Sequence, residues 1–342
     1  MLSRRDFIQR SIVVASGAIA LPYSLHAGAS EEVIMTVNGP INPKQIGFTL
    51  SHDHILVDFI GADKYSRDRY NIDEVYNVAL PFLQDVKNKG CVTFIDCTPA
   101  YLGRDVNLLK RLAKSTGLNI ITNTGYYGAV KEKYVPPQAY KETANQLANR
   151  WISEFKNGID GTDVKPGLIK TSVDNAPLTP VQVKLVEASA LTHLATGLTI
   201  AIHTGNGEAS KEQLRILNGK GVSPSARIWV HSQNEKDIAY HIETARQKGW
   251  VAFDGVNPDS IGVHLDFLQK MKKENLLDYV LVAQDSGWYN VGEPKGGNYK
   301  DYNCILTQFI PAMKQNGFTQ SEIDKLFITN PAKAFTLQVR KV

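Results

Sequence analysis

The chain has 342 residues, 43% of them hydrophobic and 21% charged, which is ample material for a packed core and excludes a disordered chain. Its formal charge of +4 is small and its basic residues are scattered, so no nucleic-acid partner is expected and a small neutral substrate suits it better. The length accommodates a single α/β barrel of about 250 residues with added loops and a terminal extension.

In chain order, Ser3-Arg4-Arg5-Asp6-Phe7-Ile8-Gln9 precedes an apolar run from Ile12 to Leu21 and then Ala27-Gly28-Ala29. This is the pattern of a twin-arginine signal peptide over 1–29 with cleavage before Ser30, and the run is shorter than the ~20 residues a membrane span needs. The expectation is export through the twin-arginine pathway to the periplasm or otherwise out of the cytoplasm, with no membrane attachment of the mature form. Cleavage removes three arginines and one aspartate and leaves a formal charge of +2. Because that pathway carries folded proteins, it suits a metal centre loaded before export. Cys91 and Cys97, six residues apart in a predicted strand, would lie ~20 Å apart along it and cannot bridge. With Cys304 they read as ordinary buried residues.

Eight short β-rich runs follow, at 47–52, 92–96, 119–122, 167–171, 198–203, 228–231, 250–253 and 279–284. Between them, helical spacing of apolar residues marks 72–89, 105–115, 137–155, 180–194 and 237–248, with Gly90, Gly117, Gly197 and Gly249 placed to end helices. Repeated βα units, eight strands and no internal linker predict one α/β domain over 30–342, a (β/α)8 TIM barrel. A doubly wound open sheet would carry a glycine-rich phosphate loop after its first strand, where Ser51-His52-Asp53-His54 stands instead.

In such barrels catalytic groups project from the C-terminal ends of the strands. The first run ends in His52-Asp53-His54, and a period of two puts both histidines on one side, able to grip one ion. His203 and His231 close the fifth and sixth runs, each an ionisable residue after an apolar stretch. The eighth delivers Asp285, a carboxylate that is costly to bury without a cation. Asp254, at the end of the seventh, is placed to orient a neighbouring ligand. Lys170, at the end of the fourth, is at odds with a metal site, because a protonated lysine cannot coordinate. Either it pairs with Asp285 as a structural ion pair or its amine has added carbon dioxide to become a carbamate, and the residues alone leave both open.

The ordered set of His52, His54, Lys170, His203, His231 and Asp285 resembles that of the phosphotriesterase family of the amidohydrolase superfamily, which includes phosphotriesterase-like lactonases and related hydrolases. Further matching segments are Val37-Asn38-Gly39-Pro40-Ile41, Gly103-Arg104-Asp105, Thr124-Gly125-Tyr126-Tyr127, Gln213-Leu214-Arg215-Ile216-Leu217 and Asn330-Pro331, so the likeness spans 37–337. Family members usually carry Glu where this chain has Asp53, a position that does not bind metal. The resemblance implies a binuclear centre at the C-terminal ends of the strands, with two divalent ions, usually zinc, although manganese, cobalt or iron suit the same ligands. One ion would be held by His52, His54 and Asp285 and the other by His203 and His231, with an N6-carboxylated Lys170 spanning both.

It also implies a hydroxide bridging the metals that attacks a small-molecule neutral ester, with Asp285 as the catalytic proton acceptor. A lactone or carboxylic ester stands first and a phosphotriester (aryldialkylphosphate) second. A catalytically silent periplasmic binding protein is a third reading, and each is compatible with a homodimer. Tyr127 aligns with a tyrosine that lines the pocket of lactonases, and Trp288, in the glycine-rich loop after Asp285, is expected to meet substrate. The proton-relay Asp and His of phosphotriester hydrolases are replaced here by Asn234 and Gly255, and the Arg that lactonases tend to carry at the latter position is missing too.

Overall fold

In the computed structural model, which describes residues 32–342, the apolar runs pair side by side in parallel, because a helix or long loop separates each from the next. A short antiparallel hairpin of β1 (Ile34–Thr36) and β2 (Gly39–Ile41) comes first. The barrel strands are β3 (Thr49–Val57), β4 (Thr93–Asp96), β5 (Asn119–Ile121) with its continuation β6 (Asn123–Thr124), β7 (Leu168–Val173), β8 (Thr199–Thr204), β9 (Arg227–Val230), β10 (Trp250–Phe253) and β11 (Val280–Val282). Beyond β11 the chain runs on as β12 (Gly287–Asn290) beside the far half of β3. Closure comes where Asp285 N–H donates to His52 O (3.1 Å) and His54 N–H to Ser286 O (2.9 Å). The result is the expected eight-stranded TIM barrel, and residues 32–342 cluster as one unit. The signal peptide expected at 1–29 lies outside the described residues. Among the described residues no helix is long and apolar enough to cross a membrane.

Strand alternation decides what faces inward. Leu168, Ala201, Ile228, Trp250, Ala252 and Leu281 fill the barrel interior, while Ile169, Ile200, Ile202, Val280 and Val282 pack outward against helices. Two residues further along the same inward faces stand Lys170, His203 and Asp254. On β3 the rule needs a correction. Leu50 packs outward, and unbroken alternation would send His52 and His54 outward with it. The pairing of β3 with β4 shifts by one residue between Leu50 and Asp53, and this bulge turns the two histidines inward.

Other boundaries differ from expectation for local reasons. The first strand does not end at His52: Ile55-Leu56-Val57 continue it, fully buried and paired by β12. The helix expected over 137–155 is two, Pro137–Lys141 and Ala144–Asn157, because Thr143 and Gln146 form a capping box that starts a new helix. Gly117 and Gly197 end their helices in the left-handed conformation, but before Gly249 it is Lys248 that takes the positive φ, 67°. Cys91 and Cys97 are buried and free, and Cys304 is half-buried.

Candidate metal centre

The fold brings all six expected ligands to one end of the barrel, around a pocket of about 150 Å³. Lys170 arrives from β7 and His203 from β8 by alternation along the strand, and His52 and His54 come from β3 beyond its bulge. His231 and Asp285 come just past β9 and β11 and reach the pocket in the left-handed region, at φ 59° and 54°. That conformation is uncommon for non-glycine residues and persists only where the surroundings impose it.

Each imidazole is held at its Nδ1. Asp254 is fully buried; its two oxygens take the Nδ1 atoms of His52 (2.9 Å) and His231 (2.6 Å) and accept His231 N–H. Thr98 Oγ1 holds His54 Nδ1 at 2.7 Å, and the Tyr127 hydroxyl meets His203 Nδ1 at 2.9 Å. His52 and His54 thereby keep Nε2 for the site, and both atoms converge on Asp285 Oδ1, at 3.9 and 3.1 Å. Proximity of ligand atoms alone picks out two groups, His52 with His54 and Asp285, and His52 with His231 and Asp254. In the second the carboxylate already holds both imidazoles by their outer nitrogens, so Asp254 orients ligands and is not itself counted as one.

Two atoms stand out as incompletely partnered. Asp285 Oδ1 is buried without a hydrogen bond, because its approach to His54 lacks the geometry of one. Lys170 is 1% exposed, and its Nζ contacts His52 Nε2 at 3.0 Å. Among the described residues no carboxylate pairs with Lys170, so the structural ion pair with Asp285 is not formed; Asp285 is paired with His52 and His54 instead. A buried ammonium without a counter-charge is costly. The donor set therefore fits cations: imidazoles held at Nδ1, a carboxylate oxygen without a hydrogen bond and an amine that lacks an anion.

Electrostatics follow from this crowding. Burial, then the charge of Lys170, pushes His52 down to about 3, and burial with the neighbouring His231 and Lys170 holds His203 well below its usual range. Burial alone would raise Asp254 and Asp285, but the imidazoles around each outweigh it and hold both below the usual carboxylate range. For His231, contact with Asp254 outweighs burial and raises the imidazole. Asp53 lies outside the group: its Oδ1 accepts Ser286 N–H at 2.8 Å, and burial pushes its carboxyl up.

Tyr127 and Trp288 both line the pocket, Trp288 edge-on to His54 with ring centroids 5.5 Å apart. Sequence reasoning missed Val57, Phe59, Leu102, Val130 and Tyr134, which complete the lining; ordinary apolar and aromatic residues at a strand end or in loops carry no signal of this kind. It also missed Gln233. A side chain at Gly255 would run into Gln233 Nε2, whose amide donates to Asp254 Oδ1 (3.1 Å) while its oxygen accepts Asp254 N–H (3.2 Å). Neither Asn234 nor Gly255 lines the pocket.

A family model described as the phosphotriesterase family matches residues 32–335. The chain is 28% identical over 296 residues to a phosphotriesterase homology protein of Escherichia coli (strain K12), covering 84% of this chain and 98% of that one. It is 26% identical over 307 residues to an aryldialkylphosphatase of Saccharolobus solfataricus, covering 86% and 97%. The solved structure of a lactonase from Listeria monocytogenes superposes with a TM-score of 0.77 at 25% identity, covering 90% of this chain and 99% of that one.

Proposed function

Because this chain belongs to the phosphotriesterase family, we propose that it is a metal-dependent hydrolase of small neutral esters, with lactones and carboxylic esters ahead of phosphotriesters. The observation that carries the reading is the buried Lys170 amine, without an anion, in a pocket lined by four imidazoles and Asp285. A neutral Lys170 amine adds to carbon dioxide, forming an N–C bond and releasing a proton to water. The resulting carbamate offers two oxygens between the His52/His54/Asp285 and His203/His231 sets. Imidazole and carboxylate donors of this kind suit zinc. Metal ions held by His52, His54, His203, His231, Asp285 and a carboxylated Lys170 would supply Lewis acidity and activate a water for attack near neutral pH.

The chain's own residues do the rest. Asp254 fixes the tautomer of His52 and His231, and Thr98 and Tyr127 hold the orientation of His54 and His203. Asp285, with one oxygen free of hydrogen bonds, is placed to accept the proton released on attack. Val57, Phe59, Leu102, Val130, Tyr134 and Trp288 give the pocket a mostly carbon wall, and Lys170 and Asp285 are its lysine and its carboxylate. Such a wall suits an uncharged substrate, and about 150 Å³ suits a small ring better than a phosphorus bearing three substituents. Amide and phosphoryl groups are the neighbouring chemistries. We further propose that residues 1–29 direct twin-arginine export to the periplasm, on the strength of Ser3-Arg4-Arg5-Asp6-Phe7 and the apolar run behind it. Lysines at Arg4 and Arg5 should retain a reporter fused to 1–29 in the cytoplasm.

The test is a panel of a γ-lactone, phenyl acetate and a dialkyl aryl phosphate, run on protein loaded with zinc in bicarbonate. The lactone or acetate should exceed the phosphate in kcat/KM by about 10–100-fold. A preference for the phosphate would favour the second reading, and tight lactone binding without turnover a binding protein. Lys170→Ala should lose bound metal and most turnover together, and a carbamate carbon should appear by NMR only with Lys170 present.

A further inference from the structure

Val130, Lys131 and Glu132 are three consecutive non-glycine residues with positive φ, at 57°, 53° and 62°. One such residue is uncommon, a β-branched one is an outlier, and a run of three has no intrinsic stability in an L-amino-acid chain. Something outside the turn must hold it. Asp174, just past β7 and four residues beyond Lys170, does so: its Oδ1 accepts Val130 N–H at 2.8 Å and its Oδ2 accepts Lys131 N–H at 3.2 Å. Gln182 steadies that carboxylate, donating to Oδ2 (2.9 Å) and to Gly128 O (3.0 Å), and Ser172 Oγ accepts Ala129 N–H at 2.7 Å.

What this turn positions is the pocket. Val130 lines it although 53% exposed, so the side chain stands at the mouth. Tyr134, at the far end of the turn, packs its ring against Tyr127 (5.8 Å) and Phe59 (6.3 Å). The loop after β3 is tied to the same turn by Ala62 N–H donating to Lys133 O (3.0 Å). Phe59 in turn meets Trp288 (5.6 Å), and Trp288 meets His54. An unbroken belt of rings thus runs from His54 round to His203, and the left-handed turn is where it is anchored to the end of β7.

We propose that Asp174 is a positioning residue for substrate specificity: by holding residues 130–132 in their left-handed turn, it fixes Val130 and Tyr134 as the wall that limits the size of the ester group admitted. The proposal rests on the ester-hydrolase reading. It predicts a change in selectivity and not in metal content, since Asp174 contacts none of the six ligands in the hydrogen bonds it makes.

The experiment compares zinc-loaded wild type, Asp174→Ala and Asp174→Ala/Lys131→Gly on γ-lactones with progressively longer alkyl side chains. Asp174→Ala should erode the preference for short over long side chains by about tenfold, at unchanged metal content. Glycine adopts a positive φ readily, so Lys131→Gly should move the ratio back toward wild type. An unchanged ratio, or an equal loss for every lactone, overturns the proposal. Amide hydrogen exchange over 127–135 is read in the same proteins. Exchange must quicken in Asp174→Ala, and unchanged exchange overturns the clamp. If the wild type turns over no lactone, the ester reading has failed, while the exchange result still decides whether Asp174 holds the turn.

Discussion

Leu168, Ala201, Ala252 and Leu281 form one layer of the barrel interior; Lys170, His203 and Asp254 stand two residues further along three of the same strands. The two layers are carried by the same strands, yet one is hydrocarbon and the other a crowd of ionisable groups. In the lower layer each side chain adds stability by leaving water. In the upper one, burial without compensation would destabilise the fold. The upper layer is tolerable because Asp254 answers two imidazoles and because the donor set left over suits cations. Its backbone differs too: His231, Asp285 and Trp288 are left-handed there. One layer holds the barrel together, and the other uses the rigidity that it provides.

The sharpest way to break this contrast is at Asp254. Asp254→Ala removes the acceptor for His52 and His231 at once, and loss of such an outer partner costs about 10–100-fold in metal affinity for each ligand freed. Zinc titration of the apo-protein should show affinity falling by that factor or more. Asp254→Asn, which keeps one acceptor oxygen, should fall between. Retained affinity in Asp254→Ala would mean that the imidazoles are positioned by packing alone.

A smaller effect is expected one layer down. Leu281→Ala, at a fully buried position, should cost about 2–5 kcal/mol in urea unfolding while leaving kcat/KM near wild type in the folded, metal-loaded protein. If activity falls in step with stability, the two layers are not separable and the rigid-support picture is wrong.

The lower layer was largely legible in the sequence, because apolar runs of strand length separated by helical spacing have few other solutions. The upper layer was legible only as residue types at strand ends. His203 and Lys170 follow from alternation; His52 and His54 face inward through a bulge that nothing in Thr49-Leu50-Ser51 announces. By residue type Lys170 is at odds with a metal site and only the family resemblance implies a carbamate; what the fold adds is a buried amine with no carboxylate to pair among the described residues. Val130-Lys131-Glu132 looks unremarkable because left-handed strain is imposed from Asp174, forty-odd residues away in sequence and adjacent in space. Gln233 stayed hidden for the same reason: its role comes from the space left by Gly255. Contacts between loops of different strands leave no periodic trace.

The smallest effect tests whether ionisable groups on the outer side of the wall also follow burial. His241 is fully buried, stacked on Trp229 at 5.0 Å with Phe253 and Phe267 at 5.4 and 5.3 Å, and its Nε2–H donates to Ser232 O at 2.8 Å. Its Nδ1 has no partner, and burial pushes the imidazole below its ordinary 6.5. The unfolded chain therefore binds a proton at 6.5 that the folded chain refuses until lower pH, so stability is lost as pH falls through and below 6.5. His241→Gln keeps a donor for Ser232 O and removes the titration. It should lose about 1–2 kcal/mol at pH 8, from poorer stacking, and show a shallower fall in Tm between pH 7 and pH 5 than wild type. Parallel curves would mean that His241 takes up its proton in the folded state as readily as in the unfolded one, and that this side of the wall is wetter than its packing indicates.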